Sequence, residues 1–325
     1  MTTQVESPVE STSAIPTLIV EPVGAMMPLT PGQLVWRRFR KHRMALVGAI
    51  GVILIIVFII GGSIVVPESA ANKGNLRERM KGPYAAHIFG TDSNGRDVFN
   101  RIIYGGQISL VIGIMAVFLE VSLGVLIGGV AAFYGGWVDA VLMRFTEAML
   151  SIPSLFLLIV LAKVIGRNIP TIDIFGRSFS GSVGIVIIVI GLTSWMYLAR
   201  IVRSSMLSLR EADYISAAKS LGASDARIFF THLVPNTLGI IVVSSTLGLA
   251  GAILQEAYVS FLGLGVQSPT STWGNMLQSA QSFMSQGAWW MWFFPSIFIV
   301  MVILSVNLVG DGLRDAFDPH SNRHM

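Results

Sequence analysis

Cysteine is absent from this 325-residue chain, and charge is scarce: Asp, Glu, Lys and Arg together make up 12% of it. The first absence excludes a disulfide framework, a thiolate nucleophile and a thiolate metal site. The five histidines never form a His-Glu-x-x-His pair, so a zincin-type metal site is not encoded. No Gly-x-x-x-x-Gly-Lys-Ser/Thr loop occurs, so the chain has no P-loop of its own in which to hold ATP. A Gly-x-Ser-x-Gly nucleophile elbow is missing as well. Globular proteins carry about 25% charged residues. With so few charges and 53% hydrophobic residues, the composition is that of an integral membrane protein. The net charge of +4 reflects basic flanks of membrane segments, because the cations are not gathered on a soluble domain. The reading therefore holds no catalytic residue, no cofactor or metal bound by this chain, and no nucleic-acid partner.

What is present is a series of long apolar runs. Residues 1–33 are rich in Ser, Thr, Pro and Glu and lack the basic start and apolar core of a signal peptide; they read as a disordered cytoplasmic tail. Residues 34–43 mix Leu34, Val35, Trp36 and Phe39 with Arg37, Arg38, Arg40, Lys41 and Arg43, which predicts an amphipathic helix on the membrane surface, with lipid as its partner. Residues 44–66 are almost unbroken in apolarity. At ~1.5 Å per residue they reach about 34 Å, enough to cross a hydrocarbon core of about 30 Å. Further spans are expected at 109–133, 140–165, 183–206, 237–262 and 288–309. The dense basic cluster before the first span sets its start in the cytoplasm. Six spans then put both termini, 134–139 and 207–236 inside, with 311–325 as a cytoplasmic tail. They put 67–108, 166–182 and 263–287 outside. Lys and Arg are absent from 263–287, although the other outer segments contain several.

Between the fourth and fifth runs lies a polar island. Leu209, Ala212, Ile215 and Leu221, with Tyr214, Ala217 and Ala218, recur at helical spacing. Gly222 sits where a helix ends in the left-handed conformation. Ser224 is placed to cap a second helix, with Asp225 in its first turn and Ile228, Phe229 and Leu233 on its apolar side. Pro235 suits the start of the next span. Two short helices beside a membrane suit docking into a groove on a soluble partner. The plainer reading is an ordinary amphipathic loop, common in membrane proteins.

Three acidic residues fall inside expected spans. Each costs about 2.5–3.5 kcal/mol on insertion scales, so its side chain should avoid lipid. Glu147 has Arg144 three residues earlier, which favours a local pair. Glu256, beside Gln255, has no nearby base and is a candidate for a translocation path or gate; a structural pair or a headgroup position is the alternative. Glu120 carries the same two readings. Asp92, in the run GTDSNGRDV at 90–98, superficially matches a calcium loop, but the full ligand spacing is missing and a turn at Asn94–Gly95 is preferred. Gly124, Gly128 and Gly129 give a small-residue face for helix packing. Met276, Ala280, Phe283 and Gly287 form a small apolar stripe on an outer helix.

Residues 211–236 resemble the EAA loop of ABC-importer permeases: Ala217, Ala218, Gly222 and Pro235 stand in register with that pattern. Ser216, His232 and Val234 replace its Glu, Ile and Leu, which removes any contact specific to the Glu. WRRFRKHRMAL at 36–46, the run at 90–98, YGGWVD at 134–139, FLGLGV at 261–266, WGNM at 273–276 and GDGLRDA at 310–316 are similar to the second permease subunit of dipeptide, oligopeptide and nickel importers. The resemblance covers residues 34–320. It implies an all-α polytopic protein with six transmembrane helices and the type I ABC-importer permease fold, 109–310 being the core permease domain. It also implies a bacterial or archaeal plasma membrane, a homologous first permease, and two ABC ATPase subunits that carry ATP and Mg. An extracytoplasmic binding protein would deliver substrate. Tyr214, Ala217, Ala218, Leu221, Gly222, Ser224, Asp225 and Pro235 would form the ATPase coupling loop. Di- or oligopeptides are the first substrate choice and nickel the second. An ATP-independent channel or scaffold is the alternative from another class, and the docking loop argues against it.

Overall fold

The computed structural model describes residues 30–165, 172–174 and 177–318; most of the expected amino-terminal tail and residues 319–325 lie outside these. Helix α1 (Pro31–Lys41) begins at a capping box in which Gln33 returns its side-chain oxygen to the Thr30 N–H at 3.0 Å. It packs against the last helix. Its Phe39 is buried with Ala45 and Ala316, and Arg38 donates to the carbonyls of Ala316 at 3.4 Å and Asp318 at 2.9 Å. A cation is thus set on the unpaired carbonyls that end the last helix, where the helix dipole favours it. Leu34 and Trp36 stay exposed, the Trp36 ring stacked on Phe39 at 6.1 Å.

Helix α2 (Arg43–Val65) matches the first expected span and is started by His42, whose Nδ1 accepts from the Ala45 N–H at 3.0 Å. After the short α3 (Glu68–Asn72) comes α4 (Val98–Tyr134). The expected span at 109–133 lies inside this helix, which starts earlier, at Val98. Asp97 caps it, accepting from the Asn100 N–H at 3.0 Å. Arg101, which reads as a loop residue, is buried inside the helix because Asp92 lies 3.3 Å from its guanidinium. The expected 134–139 loop shrinks to Gly135, and α5 (Gly136–Leu150) follows at once.

The expected single span at 140–165 is two helices, α5 and α6 (Ser154–Ile165), bent by 90°. Pro153 stands at the break, without an N–H to continue a helix. A small antiparallel ribbon, β1 (Ile172–Ile174) with β2 (Arg177–Phe179), precedes α7 (Ser182–Arg210). Next come α8 (Asp213–Ser220), α9 (Asp225–Arg227), a π turn over Ile228–Leu233, and α10 (Val234–Phe261). Helices α11 (Trp273–Gln281) and α12 (Trp290–Phe317) complete the chain. Helix α12 runs on through residues expected as tail, because α1 covers its end. Among the described residues, five helices are long and apolar enough to cross a membrane, or six if the bent pair counts as one.

Helices α4 and α7 lie in backbone contact. A side chain at Gly128 would put its Cβ 2.2 Å from the Ala199 carbonyl oxygen, so only glycine permits this approach. One core joins α2, α4, α10, α11 and α12 through Ile59, Ile102, Ile253, Trp273 and Val302. A second joins α4, α6, α7 and α10 through Ile112, Leu158, Val189 and Val259. Large apolar side chains such as Ile53, Leu54 and Val57 are left outside, as lipid contact allows.

Candidate functional site

The polar island forms an exposed elbow between α7 and α10. Helix α8 has an inner and an outer side. Ile215 is fully buried in a cluster with Val202 and Met206 of α7 and with Ile228 and Leu233 beyond the turn. Outward, Tyr214 and Ala217 are exposed, Ala218 is half-buried, and Leu221 is 88% exposed. Such a leucine at the tip of a polar loop is an apolar contact without a partner in the described chain.

The end of α8 is a Schellman turn. The Gly222 N–H donates to the Lys219 carbonyl at 2.9 Å and the Ala223 N–H to the Ala218 carbonyl at 3.0 Å, with Gly222 at φ +80°. A Cβ at Gly222 would meet nothing within 4 Å, so glycine is required by the backbone angle alone. Ser224 then accepts from the Arg227 N–H at 3.4 Å, and Asp225 occupies the first turn of α9. Ahead of Pro235 the helix widens into the π turn, where the Val234 N–H reaches the Phe229 carbonyl. Tyr214, Ala217, Ala218, Leu221, Gly222, Ser224 and Asp225 are thereby gathered in one elbow, and Pro235 stands at its base in the first turn of α10.

Two ties that the sequence does not signal hold the elbow to the bundle. Arg210 donates to the carbonyls of Ala132 and Phe133, each at 3.0 Å, at the end of α4. Arg203 grips both carboxylate oxygens of Asp139 on α5 in a fork. The base of the elbow is thus bonded to α4 through Arg210, and α7 to α5 through Arg203.

Gln255 and Glu256 part company. Glu256 is fully buried and accepts from Ser109 at 3.0 Å and Ser260 at 2.7 Å. Ser109 accepts in turn from the Trp273 N–H at 3.3 Å, so the carboxyl ties α4 and α10 to α11. Gln255 is half-buried, and its side chain makes no hydrogen bond with a described residue. Glu147 pairs with Arg144 at 3.3 Å, and Glu120 is buried without a partner among the described residues.

In the segment between α2 and α4, Asp92 makes a turn and is fully used by protein donors. Its Oδ1 accepts from the N–H groups of Asn94 at 2.8 Å and Arg96 at 2.9 Å, and its Oδ2 from Arg96 Nε at 2.7 Å. His87 bridges Asp97 at 2.6 Å and Glu78 at 3.3 Å. Burial pulls the His87 pKa down, but the hydrogen bonds to Asp97 and Glu78 outweigh it and hold the pKa above the ordinary value. Met276 and Ala280 of the small apolar stripe are buried in the core, against the helix bundle.

Residues 124–323 match the family described as the binding-protein-dependent transport system inner membrane component. Residues 30–83 match the N-terminal TM domain of oligopeptide transport permease C. The dipeptide transport system permease protein DppC of Bacillus subtilis (strain 168) is 38% identical over 288 residues, covering 89% of this chain and 85% of that protein. The glutathione transport system permease protein GsiD of Escherichia coli O6:K15:H31 is 39% identical over 290 residues, covering 89% and 91%.

Proposed function

The chain belongs to the inner membrane components of binding-protein-dependent transport systems and is a permease subunit of an ABC importer; on that premise we propose that its substrates are di- or oligopeptides and that the elbow around Gly222 is where separate ATPase subunits engage it. This membership sets aside the ATP-independent channel or scaffold. The relatives named for dipeptide and glutathione transport support the peptide choice over nickel.

In this reading a homologous first permease completes the membrane pathway. Two ABC ATPases bind beneath with ATP and Mg, and a binding protein delivers substrate from the far side. Both termini lie in the cytoplasm with the elbow. When the ATPases close, they carry α8 with them. Ile215 is locked among side chains of α7 and the turn before α10, so α8 moves only with those helices, and the bundle rocks between two accessible states.

The observation that carries the docking role is Leu221, 88% exposed on a rigidly terminated helix whose other face is buried. The test is copurification. The affinity-tagged chain should bring down P-loop ATPases, and Leu221→Asp should lose most of them while the chain remains in the membrane. Equal recovery with Leu221→Asp would refute the docking site. Robust ATP hydrolysis by the purified chain alone would refute the division of labour.

A further inference from the structure

Between α5, α7 and the start of α10 lies a cavity of ≈ 1020 Å³. Its floor is one stripe of α7. Tyr197, Arg200, Ser204 and Ser208 recur at helical spacing and all four are exposed, whereas Leu198, Ala199, Val202 and Met206 on the other side are in the core. Arg203, at the edge of the cavity, is already committed to Asp139. Glu147, the one carboxylate lining the space, is 3.3 Å from Arg144. The Arg200 side chain forms no ion pair and no hydrogen bond with any described residue. The cavity therefore presents one uncommitted guanidinium beside the hydroxyls of Tyr197, Ser204, Ser205 and Ser208, with Met143, Ile201, Leu209 and Ile240 as its apolar wall.

This stripe does not suit lipid tails. Arg200 stands ten residues before the end of α7 at Arg210, about 15 Å along the helix at ~1.5 Å per residue. It lies six residues, about 9 Å, inside the expected cytoplasmic end of the span at 206, and ionisable groups at such depths line water-filled paths, pair with other groups or reach the headgroups. Arg200 has no pair here and opens on a cavity.

We infer that this cavity is the chain's share of the inward-opening path and that Arg200 receives the carboxylate of a peptide passing through it. The inference rests on the peptide-importer reading. A guanidinium fork matches a carboxylate in shape and charge. Serine and tyrosine hydroxyls both donate and accept, so they serve a peptide backbone without selecting side chains. The volume is ample, since pockets of roughly 300–1,000 Å³ hold drug-sized molecules. An anionic lipid headgroup has the same charge, and the experiment separates the two.

The chain has no cysteine, so Ser204→Cys introduces its only thiol. The full complex is placed in nanodiscs of zwitterionic lipid, with the unmutated complex as blank. The rates of modification by a sulfonate-bearing and a trimethylammonium-bearing thiosulfonate are compared without nucleotide. The anionic reagent should be faster by about fivefold or more, the effect of one unit charge near 4 Å in water. Arg200→Gln should abolish that preference and Arg200→Lys should keep it. A dipeptide with a free carboxylate should slow the reaction, and its C-terminal amide should not. Lack of charge preference, a preference indifferent to Arg200→Gln, or equal protection by both peptides would overturn the site. Protection by anionic lipid but not by the free-carboxylate peptide would overturn it in favour of a lipid site. Dipeptide uptake by the same complex is scored in parallel. Absence of peptide uptake overturns the peptide reading itself, whereas uptake with equal protection overturns only the carboxylate site.

Discussion

His87 sits between two carboxylates, 2.6 Å from Asp97 and 3.3 Å from Glu78, and its pKa is held above the ordinary value. A raised folded-state pKa means that this contribution to stability is complete below the unfolded value, about 6.5, and is lost as pH rises through the folded one. The amides of Tyr84 and Gly90 donate to the His87 carbonyl at 3.0 Å and 2.8 Å, so they report the local fold. Their hydrogen-exchange protection, corrected for intrinsic rate, should fall as pH is raised from 6 to 9, and His87→Gln should flatten the profile. A flat wild-type profile would contradict the assignment. Glu256 yields a different residue-scale prediction. Glu256→Gln keeps acceptor and size and should leave uptake within about twofold, whereas Glu256→Leu strands two buried hydroxyls and should destabilise the subunit by about 1–3 kcal/mol for each. Thermal unfolding of the purified complex reads the difference. That the carboxyl is a tie between helices was not legible in the sequence: Ser109 lies 147 residues away, and only the fold brings them together.

At the scale of elements, what was legible depended on whether the signal was local. The end of α8 was legible because everything it needs is within a few residues: small residues, then a glycine, then a serine cap. That α4 runs on beyond the expected span to Val98 was not legible, because Arg101 reads as a cation of the outer segment until Asp92 is seen beside it. The bend between α5 and α6 was hidden because the apolar residues on both sides of it read as one span, although Pro153 was the available sign. The contact of α4 with α7 was legible only as a glycine pattern; the structure adds the facing residue. Gly128→Val would drive a β-branched side chain into the Ala199 carbonyl, 2.2 Å from where Cβ must lie. Overpacking of this kind costs about 1–3 kcal/mol or more. The variant should give a lower unfolding temperature and a reduced yield of assembled complex, while Ser122→Ala, on an exposed part of the same helix, should not.

For the whole molecule, composition and hydropathy were enough to define an all-helical membrane protein, and the family match secures its place as an importer permease. Sidedness is a separate proposal, and the absence of cysteine makes it easy to test. In intact cells an impermeant thiol reagent should label Ser285→Cys, in the segment between α11 and α12, and leave Ser220→Cys unlabelled until the membrane is opened. The reverse pattern would invert the topology. Coupling is the property on which the proposed reading stands, and in that proposal it turns on the backbone of Gly222. A valine at φ +80° is a conformational outlier costing on the order of 1–3 kcal/mol. No neighbour obstructs its side chain, so the effect should stay within the elbow. The decisive comparison is ATP-driven dipeptide uptake into proteoliposomes containing the complete complex, with wild-type chain or Gly222→Val at equal incorporation. Loss of at least 90% of uptake together with weakened ATPase association is predicted, and wild-type uptake by the valine variant would show that this elbow does not couple ATP to transport.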